Sequence, residues 1–443
     1  MSGRSLWRDK TQLPEYPPLD GDITADVLVI GGGMAGLLTA YMLTRAGADC
    51  VLVEADRLCG GVSGNTTGKI TALHGAVFDK LIREFGVGRT RAYFEANSEA
   101  LAEYKRLCRD IDCDFEERDA YVYSPDDAEV IRREAEALRR IGAPAELSDC
   151  PGLPFETAAA VKLPGQAQFA PLRFAAGIIP GLKIYEHTKV RELIGTDAVC
   201  NGGRIRAGKI VVATHFPFIN KHGFYFLKMY QHRSYVLALS GAPAVGGMYV
   251  DAKKKGMSFR DAGEYLLVVG GARRTGKKGG GSCELEAFAR RYYPDAEIKY
   301  RFATQDCMTL DGMPYIGRYS SGTEGLYTAT GFNKWGITGS MVSAMLLSDL
   351  ILGRKNKYEA VLSPYGGSGM PRTSLRPQLA ANLAEALLGW ITPTTPRCPH
   401  LGCALKWNAA EHTWDCPCHG SRFDAHGELI DNPATGGLRN LNR

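Results

Sequence analysis

The chain has 443 residues, of which 45% are hydrophobic and 23% are charged. This apolar content excludes a largely disordered chain, and at roughly 100–200 residues per domain the length predicts about two to four domains. With 53 Lys and Arg residues against 48 Asp and Glu residues the net charge is only +5, so no nucleic-acid partner is implied. No apolar run approaches the ~18 residues of a transmembrane segment, and residues 1–10 carry no export signal. We therefore expect a cytoplasmic protein whose twelve cysteines are thiols, metal ligands or redox groups rather than a disulfide framework.

The first predicted elements form one βαβ unit. Strand, helix and strand are predicted in that order at residues 25–30, 34–46 and 50–53. The glycines between the first strand and the helix fit the GxGxxG pattern at Gly31, Gly33 and Gly36. Glycine there lets the backbone approach a pyrophosphate, and the helix N-terminus supplies free N–H groups. Glu54 ends the second strand, where a carboxylate can accept hydrogen bonds from ribose hydroxyls, so the unit predicts a dinucleotide site.

Further elements follow in chain order. Helices are predicted within residues 89–110, 126–141 and 284–293, and strands within residues 184–193, 205–213 and 234–269. Residues 325–353 predict a strand, a glycine turn and a long apolar helix. A Gly/Pro/Ser linker at residues 363–374 then precedes a short amphipathic helix at residues 377–391 and a cysteine-rich end.

A second loop of small residues, 58–71, distinguishes FAD from NAD as the expected ligand. It offers backbone and hydroxyl donors, as an extended FAD pyrophosphate needs, with Ser63, Thr66 and Thr67 as candidates; an ordinary surface loop is the alternative. Further candidate contacts are Val190, beside an adenine, and Thr214, at the end of a strand beneath the cofactor. A second GxGxxG with the required spacing is absent from the sequence, which argues against NAD(P)H as a direct reductant.

Together these residues resemble the FAD-dependent D-amino acid oxidase-like family. Residues 309–317 (TLDGMPYIG) and 330–339 (TGFNKWGITG) resemble the loops that this family places around the flavin ring. The resemblance covers roughly residues 20–355. It implies an α/β protein with a glutathione-reductase-type FAD-binding fold and an inserted α+β substrate domain. It also implies that a helix opening near residues 337–339 aims its dipole at the flavin N1–C2 carbonyl edge.

The same resemblance supplies further candidate site residues. Flavin contacts are implied at Asp311, Gly331, Gly336 and Thr338. Candidates for a catalytic role are Lys69, His215, Asn333 and Trp335. A charge-compensating or solvent-facing role is the alternative for Lys69, and a structural role is the alternative for His215.

Two Cys/His boxes stand near the end of the chain. Cys398-x-His400 is followed, after residues 401–415, by Cys416-x-x-His419. A structural zinc site is the alternative, but the pattern closely resembles that of Rieske proteins. That resemblance implies a 2Fe–2S cluster in which Cys398 and Cys416 ligate one iron and His400 and His419 ligate the other.

The Rieske resemblance also has an extra pair and one departure. Cys403 and Cys418 match the cysteines that cross-link the cluster loops in Rieske proteins of respiratory cytochrome bc complexes, which implies a disulfide bond. Rieske domains normally carry several strands before the first box, and here only residues 392–397 follow the amphipathic helix. We therefore expect a small, truncated, all-β Rieske module that borrows support from the flavin domain.

These segments define the predicted domains and function. The FAD-binding domain is predicted at residues 20–75, 150–220 and 300–356, the substrate domain at 76–149 and 221–299, a linker with the amphipathic helix at 357–396, and the truncated Rieske domain at 397–443. The prediction is an FAD-dependent dehydrogenase of a small amine or amino acid that passes electrons from flavin to the cluster and on to an external carrier. Two alternatives remain: a reductase run in the opposite direction from a ferredoxin, and a non-catalytic redox or iron sensor.

Overall fold

The computed structural model describes most of the chain. The described residues are 3–219, 222–253, 255–279, 281–364, 380, 383–385, 387–388, 390–392 and 396–438. The helices are α1 (Leu6–Lys10), α2 (Met34–Arg45), α3 (Phe78–Leu107), α4 (Ala128–Ile141), α5 (Pro171–Ile178), α6 (Tyr225–Lys228), α7 (Cys283–Tyr292), α8 (Gly336–Ile351) and α9 (Glu359–Leu362).

Most strands belong to the first 330 residues. In chain order they are β1 (Ile23–Ile30), β2 (Cys50–Val53), β3 (Lys69–Ile70), β4 (Glu116–Ser124), β5 (Glu146–Ser148), β6 (Ala159–Gln168), β7 (Lys183–Tyr185), β8 (Val190–Ile194), β9 (Asp197–Cys200), β10 (Arg204–Val212), β11 (Met229–Ser240), β12 (Met248–Asp251), β13 (Ser258–Ala262), β14 (Tyr265–Arg274), β15 (Glu297–Thr309), β16 (Tyr315–Arg318), β17 (Leu326–Thr330), β18 (Lys406–Asn408), β19 (Thr413–Asp415), β20 (Arg422–Phe423) and β21 (Leu429–Asp431).

The first sheet carries the predicted βαβ unit. Its central order is β16-β17-β10-β1-β2-β7, with β17, β10, β1, β2 and β7 parallel to one another. The buried run of β1 pairs with β2 on one side and β10 on the other, as an apolar strand in a parallel sheet requires. Helices α2 and α8 pack against each other in the same hydrophobic core. The carboxyl ends of β1 and β10 therefore meet the N-termini of these two helices at one edge.

The second sheet has nine strands in the order β15-β11-β14-β13-β12-β4-β6-β3, with β5 beside β6. Its pairs are antiparallel except for the parallel pair of β12 and β4. The predicted FAD-binding segments 20–75, 150–220 and 300–356 include β3, β6 and most of β15, whereas all three are strands of this second sheet. Pro164 and Gly165 interrupt the alternating pattern of β6, and the charged start of β15 conceals its buried second half.

The C-terminal module (residues 396–438) is a small antiparallel sheet, β18-β19-β20-β21. Its hydrophobic core contains the side chains of Cys398, Cys416 and Phe423. Part of the predicted amphipathic helix, including Leu379, lies outside the described residues. The described side chains of Leu387 and Trp390 are 56% and 53% exposed.

Candidate functional site

A central cavity of about 970 Å³ lies between the two sheets. One wall is the edge where β1 and β10 end, and another is the face of the second sheet that carries Ser234, Thr304 and Asp306. Residues 428–432 and 434–437 of the C-terminal module line a third side. The volume falls in the range of ligand-binding clefts, and the cavity joins all three parts of the chain.

The glycine-rich turn at the cavity has no room for side chains. Gly31 has a φ of +112°, and a Cβ there would stand 2.6 Å from the Ala213 carbonyl oxygen. A Cβ on Gly36 would stand 1.9 Å from the Gly31 carbonyl oxygen, because the helix packs directly on the turn. Gly31 and Gly33 line the cavity, and α2 begins beside them at Met34, where the first turn of a helix lacks intrahelical acceptors for its N–H groups.

Glu54 and Ser63 hold the loops around this turn. The Gly32 and Asp56 N–H groups donate to the Glu54 carboxylate at 2.7 and 2.9 Å. Burial raises the pKa of Glu54, while these backbone donors lower it. The Met34 N–H donates to Ser63 Oγ at 2.9 Å, which ties the second small-residue loop to the start of α2. Both side chains line the cavity, so the residues present fit a bound dinucleotide.

The remaining predicted cofactor contacts divide into two groups. Thr66, Thr67, Val190, Thr214 and Gly336 line the cavity. Among the described residues that line it, Gly36, Asp311, Gly331 and Thr338 do not occur. Asp311 instead accepts hydrogen bonds from the Met313 N–H and the Tyr315 hydroxyl at 3.1 and 3.2 Å, and Thr338 donates to the Thr71 carbonyl at 3.1 Å. A direct cofactor contact of these four residues stays a prediction.

All four candidate catalytic residues line the cavity, and three of them are held by polar or ring contacts. Lys69 is buried, and its ammonium donates to the Tyr249 carbonyl at 3.0 Å and to Ser258; burial lowers its pKa well below the ordinary value. The Asn333 amide accepts from the Thr309 N–H at 2.8 Å and donates to the Gly331 carbonyl at 2.9 Å. These contacts position the side chains of Lys69 and Asn333 at the cavity wall, and a catalytic role for any of the four candidates stays a prediction.

A His–Tyr pair that the sequence did not indicate stands beside Trp335. The rings of His74 and Trp335 stack with centroids 4.7 Å apart and planes at 10°. His74 Nε2 lies 2.8 Å from the Thr71 carbonyl, so Nε2 carries the proton and Nδ1 accepts from the Tyr93 hydroxyl at 2.6 Å. Burial lowers the pKa of His74 to about 3, which keeps the imidazole neutral. No short motif surrounds either residue that could have identified the pair.

Asp306 and Lys334 bring opposite charges to the cavity, and the sequence analysis missed both. Asp306 lies in β15, where burial raises its pKa to about 6 and Lys334 lowers it. Lys334 has a φ of +77°, and its ammonium lies 3.3 Å from Ser234 Oγ. The Lys334 side chain lines the cavity, and desolvation by the surrounding protein lowers the pKa of its ammonium group. Lys334 stands inside the predicted flavin loop 330–339, which was the one available signal.

The four predicted cluster ligands meet at the tip of the C-terminal module. Cys398 and Cys416 are each 1% exposed, and the His400 and His419 ring centroids are 5.0 Å apart. His419 Nδ1 is buried and finds no hydrogen-bond partner among the described residues. Two buried thiols and two adjacent imidazoles are the donor set that a Rieske cluster takes, so the residues present fit that group.

The extra cysteine pair lies beside these ligands. The sulfur atoms of Cys403, Cys416 and Cys418 all lie within 4.8 Å of one another. All twelve cysteines, each within the described part of the chain, are free thiols in the structure. The bond between Cys403 and Cys418 is thus not formed here, and the disulfide stays a prediction.

The C-terminal module docks on the second sheet through buried polar groups. Arg233 of β11 forms a two-pronged ion pair with Glu411, and Arg422 contacts the same carboxylate at 2.8 Å. The Gln231 amide donates to the His419 carbonyl at 3.0 Å, and Gln305 donates to the Gly420 carbonyl at 2.9 Å. These contacts tie the short module to β11 and β15 of the second sheet.

Comparison with known proteins agrees with this architecture. The family model "FAD dependent oxidoreductase" matches residues 26–350, and the model "Rieske [2Fe-2S] domain" matches residues 388–442. The chain therefore belongs to the FAD-dependent oxidoreductase family and carries a C-terminal Rieske domain. The predicted fold class and the cofactors FAD and a 2Fe–2S cluster are confirmed.

Individual relatives share the whole chain or its flavin part. The chain is 33% identical to YhfW of Bacillus subtilis (strain 168), named as a Rieske 2Fe-2S iron-sulfur protein, over 99% of this chain and 97% of that protein. It is 25% identical to gamma-glutamylputrescine oxidoreductase of Escherichia coli (strain K12), over 78% of this chain and 88% of that protein. Glycine oxidase from Geobacillus kaustophilus superposes with a TM-score of 0.66 at 20% identity, covering 78% of this chain and all 100% of that one. Within the described residues, none of the helices is long and apolar enough to cross a membrane.

Proposed function

We propose that this oxidoreductase is a dehydrogenase of a small amine or amino acid that passes electrons from FAD to the Rieske cluster and on to an external one-electron carrier. The observation that carries the proposal is the position of the C-terminal module. Its residues 428–432 line the same cavity as the glycine-rich turn. A site for two-electron chemistry and a site for one-electron chemistry are thereby joined within one chain.

The charges of the cavity support this class of substrate. Asp306 offers a carboxylate to a substrate ammonium group, and Lys334 offers an ammonium to a substrate carboxylate. Charge-assisted hydrogen bonds of this kind orient small polar molecules in a closed site. Gamma-glutamylputrescine oxidoreductase and glycine oxidase, by their names, act on an amine and an amino acid.

The chain's own residues orient the substrate and exclude water. The stacked rings of His74 and Trp335 form an apolar wall, and His74 stays neutral and acts as a hydrogen-bond acceptor for Tyr93. When bound, FAD supplies hydride acceptance from the substrate carbon, and a Rieske cluster supplies one-electron transfer. Oxidation of the amine to the imine releases two electrons and two protons, so two equivalents of a one-electron carrier are consumed per substrate.

Anaerobic stopped-flow absorbance on the purified holoenzyme tests the proposal. A panel of amines and amino acids is mixed with the oxidised protein, and the flavin and cluster bands are followed separately. We expect flavin bleaching followed by cluster reduction with at least one substrate. Persistent cluster oxidation beside a reduced flavin would disprove the electron path. If every substrate leaves the flavin oxidised, the sensor alternative is favoured instead.

The direction of electron flow needs a second measurement. A redox titration gives the midpoint potentials of the flavin and the cluster in the same holoenzyme. A cluster potential above the flavin potential supports the dehydrogenase direction. The opposite order supports the reductase that takes electrons from a ferredoxin.

A further inference from the structure

One short segment connects the central cavity to the cluster ligands. Residues 213–216 (the connecting segment) directly follow β10. Ala213, Thr214 and His215 line the cavity. The following residue, Phe216, does not line it, and its ring is fully buried. The centroid of the Phe216 ring lies 6.5 Å from that of His400 and 6.5 Å from that of His419. A single turn of backbone therefore reaches both sites.

The backbone conformation of His215 directs two neighbouring side chains to different sites, that of His215 to the cavity and that of Phe216 to the cluster ligands. His215 has a φ of +65°, a left-handed conformation that residues other than glycine rarely adopt. The Thr330 hydroxyl donates to the His215 carbonyl at 2.5 Å and holds it there. His215 Nε2 is buried and finds no hydrogen-bond partner among the described residues. This strained backbone therefore occurs at the residue that lines the cavity, directly before the residue whose ring packs against the cluster ligands.

The C-terminal module holds this segment directly. The Asn432 side-chain amide donates to the Thr214 carbonyl at 2.6 Å and to the Phe216 carbonyl at 3.1 Å. Gln231 in turn donates to the Asn432 carbonyl at 2.6 Å and to the His419 carbonyl at 3.0 Å. Asn432 and Gln231 thus connect the cavity wall to the backbone of a cluster ligand through three hydrogen bonds.

We infer that the connecting segment, which Asn432 holds in place, is the route for electrons between the flavin site and the histidine side of the cluster. Electron transfer along this route takes place with the C-terminal module permanently docked. The inference rests on the proposed function and names the residues through which it operates. With FAD in the cavity and a cluster held by the two Cys/His boxes, electrons would pass one at a time along this segment, and a one-electron acceptor outside the chain would take up each of them. Two such transfers and the release of two protons account for one oxidised substrate.

The chain offers a matched control for Phe216. The ring of Phe226 lies 6.3 Å from that of His400 and 6.0 Å from that of His419, slightly closer than Phe216. Phe226 belongs to α6, however, and among the described residues that line the cavity none comes from α6, whereas Phe216 directly follows the cavity-lining His215. Proximity to the histidines alone would make both rings equivalent, whereas a route from the flavin site requires Phe216.

The test compares Phe216→Leu and Phe226→Leu holoenzymes in anaerobic stopped flow with a substrate that reduces the wild-type flavin. We expect both variants to keep the wild-type rate of flavin reduction. In Phe216→Leu the cluster should be reduced roughly tenfold more slowly, which corresponds to about 1.4 kcal/mol on the activation barrier. Phe226→Leu should keep the wild-type rate of cluster reduction.

Three further measurements separate a transfer route from a structural role. The electron paramagnetic resonance spectrum and the cluster midpoint potential of Phe216→Leu should match wild type, and direct reduction by dithionite should keep its rate. If Phe216→Leu loses its cluster, Phe216→Met, whose unbranched and flexible side chain fills an irregular space without a ring, replaces it. Equal slowing in both leucine variants, or no slowing in either, overturns the inference. A wild-type cluster that substrate never reduces instead overturns the proposed function.

Discussion

Arg233 and Glu411 form a bidentate ion pair whose two side chains are each 4% exposed. Arg233 belongs to the second sheet and Glu411 to the C-terminal module, so this pair crosses the boundary between them. The Tyr235 hydroxyl adds a hydrogen bond to the same carboxylate at 2.6 Å. Burial by itself raises the pKa of Glu411, but the guanidinium groups of Arg233 and Arg422 prevail and lower it to about 2.

Replacing Glu411 by Gln should destabilise the docked module. The change leaves the buried Arg233 guanidinium without its anion, whereas Arg422 keeps its ion pairs with Asp415 and Asp431. Removing one partner of a buried pair costs about 3–5 kcal/mol. We expect a lower thermal midpoint and faster loss of the cluster band on heating. Glu136→Gln is the control, because Glu136 pairs with Arg139 on the exposed face of α4 and should change little. Equal midpoints for both variants would contradict the prediction.

Acid should destabilise the folded chain through His74. Its pKa is lowered from 6.5 to about 3 by burial, so the unfolded chain binds a proton that the folded chain does not. The resulting stability is present above about pH 6.5 and is lost as the pH falls toward 3, by up to about 1.4 kcal/mol per pH unit.

The thermal midpoint of the holoenzyme at pH 7.5 and 5 measures this effect. In His74→Gln the midpoint should fall less between the two pH values than in wild type. His426→Gln, which changes an exposed histidine of the C-terminal module, should keep the wild-type fall. A variant that matches wild type at both pH values would remove His74 as the source.

Replacing Gly36 by Ala should abolish or strongly reduce FAD binding. The new Cβ would stand 1.9 Å from the Gly31 carbonyl oxygen, so the helix and the turn must separate. Overpacking of this kind costs about 1–3 kcal/mol or more and displaces the N–H groups at the start of α2. The FAD absorbance per protein after purification measures the loss. Gly88→Ala, at an exposed glycine of α3 that does not line the cavity and has nothing within 4 Å of the new Cβ, should retain FAD.

Replacing Lys334 by Gln should discriminate between carboxylated and simple amine substrates. The loss of a charged hydrogen bond costs about 1.5–3 kcal/mol, which lowers kcat/KM roughly 10- to 100-fold for substrates that carry a carboxylate. Simple amines should lose far less. Lys80→Gln is the control. Lys80 also lines the cavity, but its ammonium nitrogen already lies 3.7 Å from a carboxylate oxygen of Glu84. A uniform loss for both substrate classes would exclude a carboxylate contact at Lys334.

Local patterns were sufficient for the parts of the fold that depend on neighbouring residues. The buried run of β1, the glycines before α2 and the spacing of the Cys/His boxes each carry a short-range physical requirement, and each predicted its element. The glycine-rich turn and the Rieske domain could therefore be predicted from the sequence, whereas the individual cluster ligands stay predictions.

Long-range pairings could not be predicted in the same way. Asp306 reaches the cavity only because β15 pairs antiparallel with β11, opposite His232, and the charged first half of β15 does not resemble a buried strand. The docking pair of Arg233 and Glu411 is separated by 178 residues, and an isolated charge carries no information about so distant a partner. The missed residues are those whose role arises from tertiary contacts.

The docking of the C-terminal module also sets an order of events during synthesis. Gln231, Arg233 and Gln305 leave the ribosome well before Glu411 and Gly420, so these side chains stay hydrated until the C-terminal module has been made. The polar part of β11 is thus covered only by residues that are synthesised much later. A chain shortened before residue 397 would retain every residue of the GxGxxG turn and would still expose a polar surface on β11 that normally never meets solvent.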